Sequence, residues 1–200
     1  MSLPQKKIEI LETLLLEDKP AKAVQVAKDA GSPFRPIMMH LIGLTKTGHA
    51  KSPQKGMYVI TEKGKFALGL SQLSEEKAKA ILDRVPSEKA FHFYCEVGKP
   101  LDLRASSLED FSEAIKKVDL ASIEFHMNRG DFEAWFECLG DDELTKKAIL
   151  LKSKKLSGEP LRGKFLQIID SRCKVLNEIC KHSSKTLANP SPVGTALRVS

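Results

Sequence analysis

Four cysteines, one tryptophan and two tyrosines are all that 200 residues contain of those types. Cys95, Cys138, Cys173 and Cys180 are irregularly spaced and form no C-x-x-C pair, so no zinc or disulfide framework is expected. Cys173 and Cys180 lie seven apart, on one face of any helix that carries them. Buried thiols are the first expectation for them, and a redox or metal site shared across a dimer is the second. His92 and Cys95 make a lone H-x-x-C. There is no H-E-x-x-H, and Gly64-Lys65 lacks the preceding glycine of a phosphate-binding loop. No serine or cysteine stands in a nucleophile motif. An enzyme is therefore the least favoured class, and no metal or cofactor is expected. No apolar run approaches the ~18–20 residues that span a bilayer. Met1 to Lys7 shows no signal-peptide pattern, which leads us to expect a cytoplasmic protein with reduced thiols.

What is present is an uneven charge. Residues 1–70 hold eleven Lys and Arg against six Asp and Glu, a net +5. Residues 71–150 hold eleven against seventeen, a net −6, and residues 151–200 hold ten against three, a net +7. A basic module joined to an acidic one suits a nucleic-acid binder with a separate sensing or assembly domain. Solvated faces that simply differ in sign would give the same totals.

Helical periodicity marks Gln5–Glu17 through Ile8, Leu11, Leu14 and Leu15. Pro20 fits the first turn of a second helix, with Ala23, Val24, Ala27 and Ala30 as a small-residue face and Gly31 as its stop. Pro36 fits the start of a third helix running to about Thr47, with Ile37, Leu41 and Leu44 inward. His49–Ser52 and Met57–Thr61 read as strands around a Pro53–Gly56 turn. Thr61 is placed to cap a further helix.

This order, with Leu41-Ile42-Gly43-Leu44-Thr45-Lys46-Thr47-Gly48-His49-Ala50 and Tyr58-Val59-Ile60-Thr61-Glu62-Lys63-Gly64-Lys65, resembles the winged helix-turn-helix of MarR- and ArsR-like regulators. The resemblance covers about residues 5–70. It implies that the third helix enters a major groove and that the wing touches the backbone or minor groove of double-stranded DNA. Carried onto this sequence, the DNA-binding candidates are Ser32, Arg35, Met39, His40, Lys46, Lys51, Gln54 and Lys55. The third helix departs from the usual pattern: Pro36–Gly43 offers no Arg, Asn or Gln to read a base edge. Binding would then be mostly electrostatic. An apolar third helix also suits a protein-docking module, which is the alternative reading.

Residues 71–89 read as a connecting helix or linker, capped at Ser74, either separate from the helix before it or continuous with it. Residues 90–182 read as a helical domain. Ala90–Val97 alternates like a strand without an evident partner, so pairing with a second copy, an extended segment and a helix all stay open. Ser107 caps a helix with Asp110 in the capping-box position. Leu120–Met127, Phe132–Leu139 capped by Asp131, a helix opened by Asp141 and Asp142, and a long helix from Glu159-Pro160 to about His182 follow. The stripe Leu161, Phe165, Ile168, Ile169, Leu176 and Ile179 on the last is either core or a dimerisation face. Residues 183–200 read as a flexible tail.

Ser122-Ile123-Glu124-Phe125-His126, Asp131-Phe132-Glu133-Ala134-Trp135, Leu139-Gly140-Asp141 and Glu159-Pro160-Leu161-Arg162 together are similar to a prokaryotic family of helical domains. That resemblance covers roughly residues 90–180 and implies no activity. His126, Arg129, Asp131, Trp135 and Arg162 are the polar and aromatic residues singled out, either as ties between helices or as an anion-binding effector pocket. Arg162 is expected to pair with Asp131, Glu124 or Asp141. The fold class expected is mainly α with a small β-wing: an N-terminal winged helix plus a C-terminal helical bundle. The function expected is that of a DNA-binding transcriptional regulator, a homodimer whose second domain serves either dimerisation or the sensing of a small-molecule effector.

Overall fold

The computed structural model describes residues 3–186. The protein is mainly helical, with two small sheets. The first unit opens with α1 (Gln5–Glu17), whose Ile10, Leu11 and Leu14 are fully buried. Asp18, in the left-handed conformation, ends it. A two-residue strand β1 (Ala21–Lys22) comes next, then α2 (Ala23–Asp29) and α3 (Phe34–Lys46). Then come β2 (Ala50–Gln54), β3 (Met57–Ile60) and α4 (Glu62–Ala67). The three strands form an antiparallel sheet in the order β1-β3-β2.

Three local expectations change here. Pro20 does not start a helix, because Ala21 and Lys22 pair with Tyr58 and Met57 as a strand edge. The buried face of α2 is Ala23, Val26 and Ala27, while Val24 points to solvent. The β2–β3 turn is Lys55-Gly56 alone, with Gly56 at φ 77°. Pro53 belongs to β2, in the irregularity between Lys51 and Gln54, a position where a missing N–H is tolerated.

The signature that ends this sheet has a physical explanation. The Thr61 hydroxyl accepts the Gly64 N–H at 3.2 Å and donates to the Gly48 carbonyl at 2.6 Å. It therefore caps α4 and ties that helix to the end of α3. Gly64 lies so close to the neighbouring chain that a Cβ there would meet the His49 carbonyl oxygen at 2.2 Å.

The second unit begins with α5 (Glu75–Leu82), capped by Ser74 as expected. Gly69, at φ 81°, separates α4 from α5, so the two are not one continuous helix. A 3-10 turn (Ser87–Lys89) leads into β4 (Phe91–Glu96), β5 (Lys99–Ala105), α6 (Leu108–Lys117), α7 (Leu120–Arg129), α8 (Asp131–Cys138), α9 (Asp142–Ser153) and α10 (Gly158–Thr186). The expected partnerless strand thus has a partner within the chain: β4 and β5 form an antiparallel hairpin turned at Gly98. The second unit is helices with a hairpin, and not a purely helical bundle.

Two further corrections concern helix ends. Gly130 is the N-cap of α8, and Asp131 is its first residue. The last helix runs to Thr186, past the expected start of the tail; the rest of that tail, 187–200, lies outside the described residues. The α10 stripe Leu161, Phe165, Ile168, Ile169 and Leu176 is buried in the chain's own core.

That core is aromatic. Six of the nine phenylalanines and the single tryptophan meet in it. Phe111 sits at its centre, stacked on Trp135 at 4.9 Å and edge-on to Phe91, Phe132, Phe136 and Phe165. Residues 71–89 are part of this unit, because Ala78 and Ile81 of α5 are buried in the same cluster. No helix among the described residues is long and apolar enough to cross a membrane.

Candidate nucleic-acid interface

The two units meet through Leu16 of α1, which is buried in the second unit's cluster, and through charge. Glu12, Glu17 and Asp18 of the first unit are bound to Lys146, Lys164 and Lys147 of the second at 2.7, 2.9 and 2.6 Å. Lys147 is completely buried and also reaches Glu143 at 2.9 Å. Arg172 clamps Asp141 through two hydrogen bonds of 2.8 Å and touches Glu143 at 3.1 Å. Lys65 of α4 closes on Glu143 from the other side at 3.0 Å. Burial acts to raise the Glu143 pKa, yet Lys147, Arg172 and Lys65 outweigh it and hold the carboxyl down at about 2.

This arrangement polarises the first unit. Its remaining carboxylates are also answered locally: Glu9 by Lys6, Glu62 by Lys65, and Asp29 by the Gln25 amide. The sequence has no Asp or Glu between Asp29 and Glu62. That interval contains all of α3 and the β2–β3 hairpin, so the face they form carries cations only. Arg35, Lys46, Lys51 and Lys55 are exposed there and make no ion pair among the described residues. Gln54 is exposed at the hairpin turn.

On α3, positions 35, 39, 42 and 46 follow helical spacing and share one side. Arg35, Met39 and Lys46 are exposed on it, Met39 at 68%. His40 is half-buried. Ser32 is engaged locally, its hydroxyl donating to the Ala30 carbonyl at 3.2 Å behind α2.

Sequence reasoning missed three cations near this face. Lys7 of α1 lies against α3 at Gly43, where a Cβ would meet its Nζ at 3.7 Å. Lys63 donates to the Thr47 carbonyl at 2.8 Å, at the end of the same helix. Lys22 is exposed on β1, opposite Met57 of the hairpin. His49 senses this charge: partial burial first, then Lys63 and Lys7, push its pKa below the ordinary 6.5. The signal that could have found the face is the acid-free interval, which shows in the sequence once charges are mapped along it.

The second set of candidates converges only in part. His126, Arg129, Asp131 and Trp135 line one cavity of about 340 Å³, beside Phe91, Tyr94 and Val97. Arg162 is not among them. It donates to the Ile115 carbonyl at 2.7 Å and pairs with Glu159 at 3.2 Å, because the start of α10 faces the end of α6. The expected partner Asp141 is held by Arg172, and Glu124 accepts the Gly158 N–H at the start of α10.

His126 and Asp131 do share a hydrogen bond, at 2.7 Å between Nδ1 and Oδ2. The backbone N–H of Tyr94 points at the other ring nitrogen, Nε2, at 2.8 Å. A backbone amide can only donate, so Nε2 is an acceptor and the ring proton sits on Nδ1. Burial, outweighing Asp131, lowers the His126 pKa and agrees with a neutral ring. With Nε2 occupied, His126 is not free to take a proton from a substrate; it ties β4 to α7. Cys173 is likewise unreactive, since burial pushes its thiol up to about 11. No group of three His, Cys, Asp or Glu among the described residues is arranged to hold a metal ion. No family model, curated protein or solved structure matches the chain.

Proposed function

We propose that the first unit is a winged helix-turn-helix that binds duplex DNA through α3 and the β2–β3 hairpin, as part of a transcriptional regulator. The observation that carries this reading is the carboxylate-free cationic face: Arg35, Lys46, Lys51 and Lys55 stand unpaired while Glu12, Glu17 and Asp18 are turned to the second unit. Such a face attracts phosphates and releases their counterions. The helix offers Met39 and little hydrogen-bonding capacity to the groove, so base recognition is limited to apolar contact such as thymine methyls. The expected protein binds many duplexes with similar affinity and strong salt dependence. A homodimer, in which two such faces bind one duplex, is part of the same proposal.

Fluorescence anisotropy with a random duplex of about 20 base pairs, titrated at several salt concentrations, tests it. Replacing Arg35, Lys51 and Lys55 together by Ala should flatten the dependence of log affinity on log salt by about 3. Absence of binding at low salt, or an unchanged slope in the triple variant, would overturn the reading. One observation favours a second reading, in which α3 docks a protein: Phe34 and Met39 are both exposed, at 47% and 68%. Under that reading Met39→Asp abolishes complex formation and the lysine variants do not.

A further inference from the structure

The cavity beneath the tip of the β4–β5 hairpin is lined by carbon. Two of the polar side chains on its floor, His126 and Trp135, are already satisfied by the fold. His126 donates to Asp131 and accepts from the Tyr94 N–H, and the Trp135 indole N–H donates to the Lys89 carbonyl at 3.0 Å. What these side chains turn to the cavity is ring surface. Phe91 lies edge-on to the His126 ring at 4.9 Å and to Trp135 at 5.7 Å. An ion or a sugar resting on these rings would lose its water and gain no partner from them. An apolar or aromatic body would gain both burial and ring contacts.

The mouth differs from the floor. Val97, at the hairpin tip, lines the cavity with 78% of its surface in water. Anything seated below it would cover that side chain. Arg129 stands at the other side. Its guanidinium lies over the Phe125 ring at 5.2 Å, and its Nε is bonded to Asp131 at 3.1 Å. These two contacts fix the plane of the group. Its two terminal nitrogens bond nothing among the described residues. A guanidinium held this way presents a parallel pair of N–H groups, the fork that fits one carboxylate. Asp131 engages Arg129 only through Nε, so the terminal fork stays open to a ligand.

We propose that this cavity is a binding site for a small monocarboxylate with an apolar or aromatic body. The body rests on Phe91, His126 and Trp135, and the carboxylate is held by Arg129. The volume of about 340 Å³ suits a small molecule. The proposal stands independently of the DNA reading, since none of its residues lies in the first unit.

The single tryptophan lines the site, so Trp135 fluorescence reports occupancy directly. The full chain is titrated with 4-phenylbutyrate and, separately, with its neutral isostere 4-phenylbutyramide. A saturable fluorescence change is expected with the acid, and a weaker one with the amide. Arg129→Gln should weaken the acid by about 10–100-fold and leave the amide unchanged. Val97→Asp, which sets a charge at the mouth, should weaken both. Both substituted positions are exposed, so thermal melts should match that of the parent chain. Failure of the acid to saturate, equal affinity for acid and amide, or an Arg129→Gln variant that binds the acid unchanged would each overturn the proposal.

Discussion

The two units of this protein bury their side chains by different means. The first packs a small aliphatic core, with Tyr58 its one buried aromatic residue, and that tyrosine reaches the Met38 sulfur at 3.7 Å. Its outer face is left cationic. The second concentrates the aromatic residues of a chain that has few, and surrounds Phe111 with rings. An aromatic side chain buries about 150–250 Å², more than an alanine or valine can, so the second unit carries the greater share of the hydrophobic stabilisation. The first is small and relies partly on its ionic seam with α9 and α10. The difference suggests a division of labour: a rigid aromatic body that holds a cavity, and a small charged module fastened to it.

The comparison breaks most directly at Phe111. Phe111→Ala should cost about 3–5 kcal/mol, because six aromatic neighbours cannot all collapse into the space it leaves. Chemical denaturation read by Trp135 fluorescence measures the loss. Should the cost stay under about 1 kcal/mol, the second unit would not owe its stability to this cluster.

The seam comes next. Lys147→Met keeps the apolar stem and removes the charge, so Asp18 Oδ1 loses its partner beside an Oδ2 that already has none. A loss of about 3 kcal/mol is expected, as when one partner of a buried pair is deleted. Hydrogen exchange should show the first unit opening while the amides around Phe111 stay protected. Uniform loss of protection across both units would mean that they fold as one cooperative body and are not separable.

Sequence made the two units unequally legible. In the first, Thr61, Gly64 and Gly48 act on chain neighbours, so their spacing alone announces the turn they build. In the second, the partner of β4 was hidden. Lys99–Ala105 opens with Lys and Pro and alternates only through half-buried Leu101 and Leu103, which is a weak strand signal. The sequence leaves Arg162 open to Asp131, Glu124 or Asp141 and gives no signal that Arg172 is the residue that meets Asp141. Periodicity places both on α10, but only packing decides that one meets the Ile115 carbonyl and the other Asp141. Lys147 and Asp18 are separated by 129 positions, and nothing local links them.

Acid should separate the units by a graded route. Glu143 titrates at about 2 in the folded chain, against an ordinary 4.5. A depressed folded pKa gives stability that is complete above the ordinary value and disappears as pH falls from 4.5 towards 2. The difference corresponds to about 3 kcal/mol at most. His126 acts earlier and in the same direction. Its folded pKa lies below 6.5, so its contribution is complete above that value and declines as pH falls further, when the protonated ring would face the Tyr94 N–H. Urea midpoints followed from pH 7 to pH 3 should therefore fall in two stages. Glu143→Gln should remove the lower stage and leave the upper one.

The smallest expected effect tests the first unit alone. Gly64→Ala sets a methyl where the His49 carbonyl oxygen lies 2.2 Å away and the Ile60 side chain 2.7 Å away. The closer atom belongs to the backbone of the α3–β2 connection, so the clash is relieved only by moving the hairpin off α4. A cost of about 1–3 kcal/mol follows. The displaced hairpin carries Lys51 and Lys55, so under the proposed DNA-binding function the affinity for a duplex should weaken with it even though no cation has been removed. Trp135 fluorescence should meanwhile be unchanged in the folded protein, because the cavity it lines belongs to the other unit. A variant that kept full DNA affinity despite this clash would mean that the hairpin contributes nothing to the interface, leaving Arg35 and Lys46 of α3 to carry it.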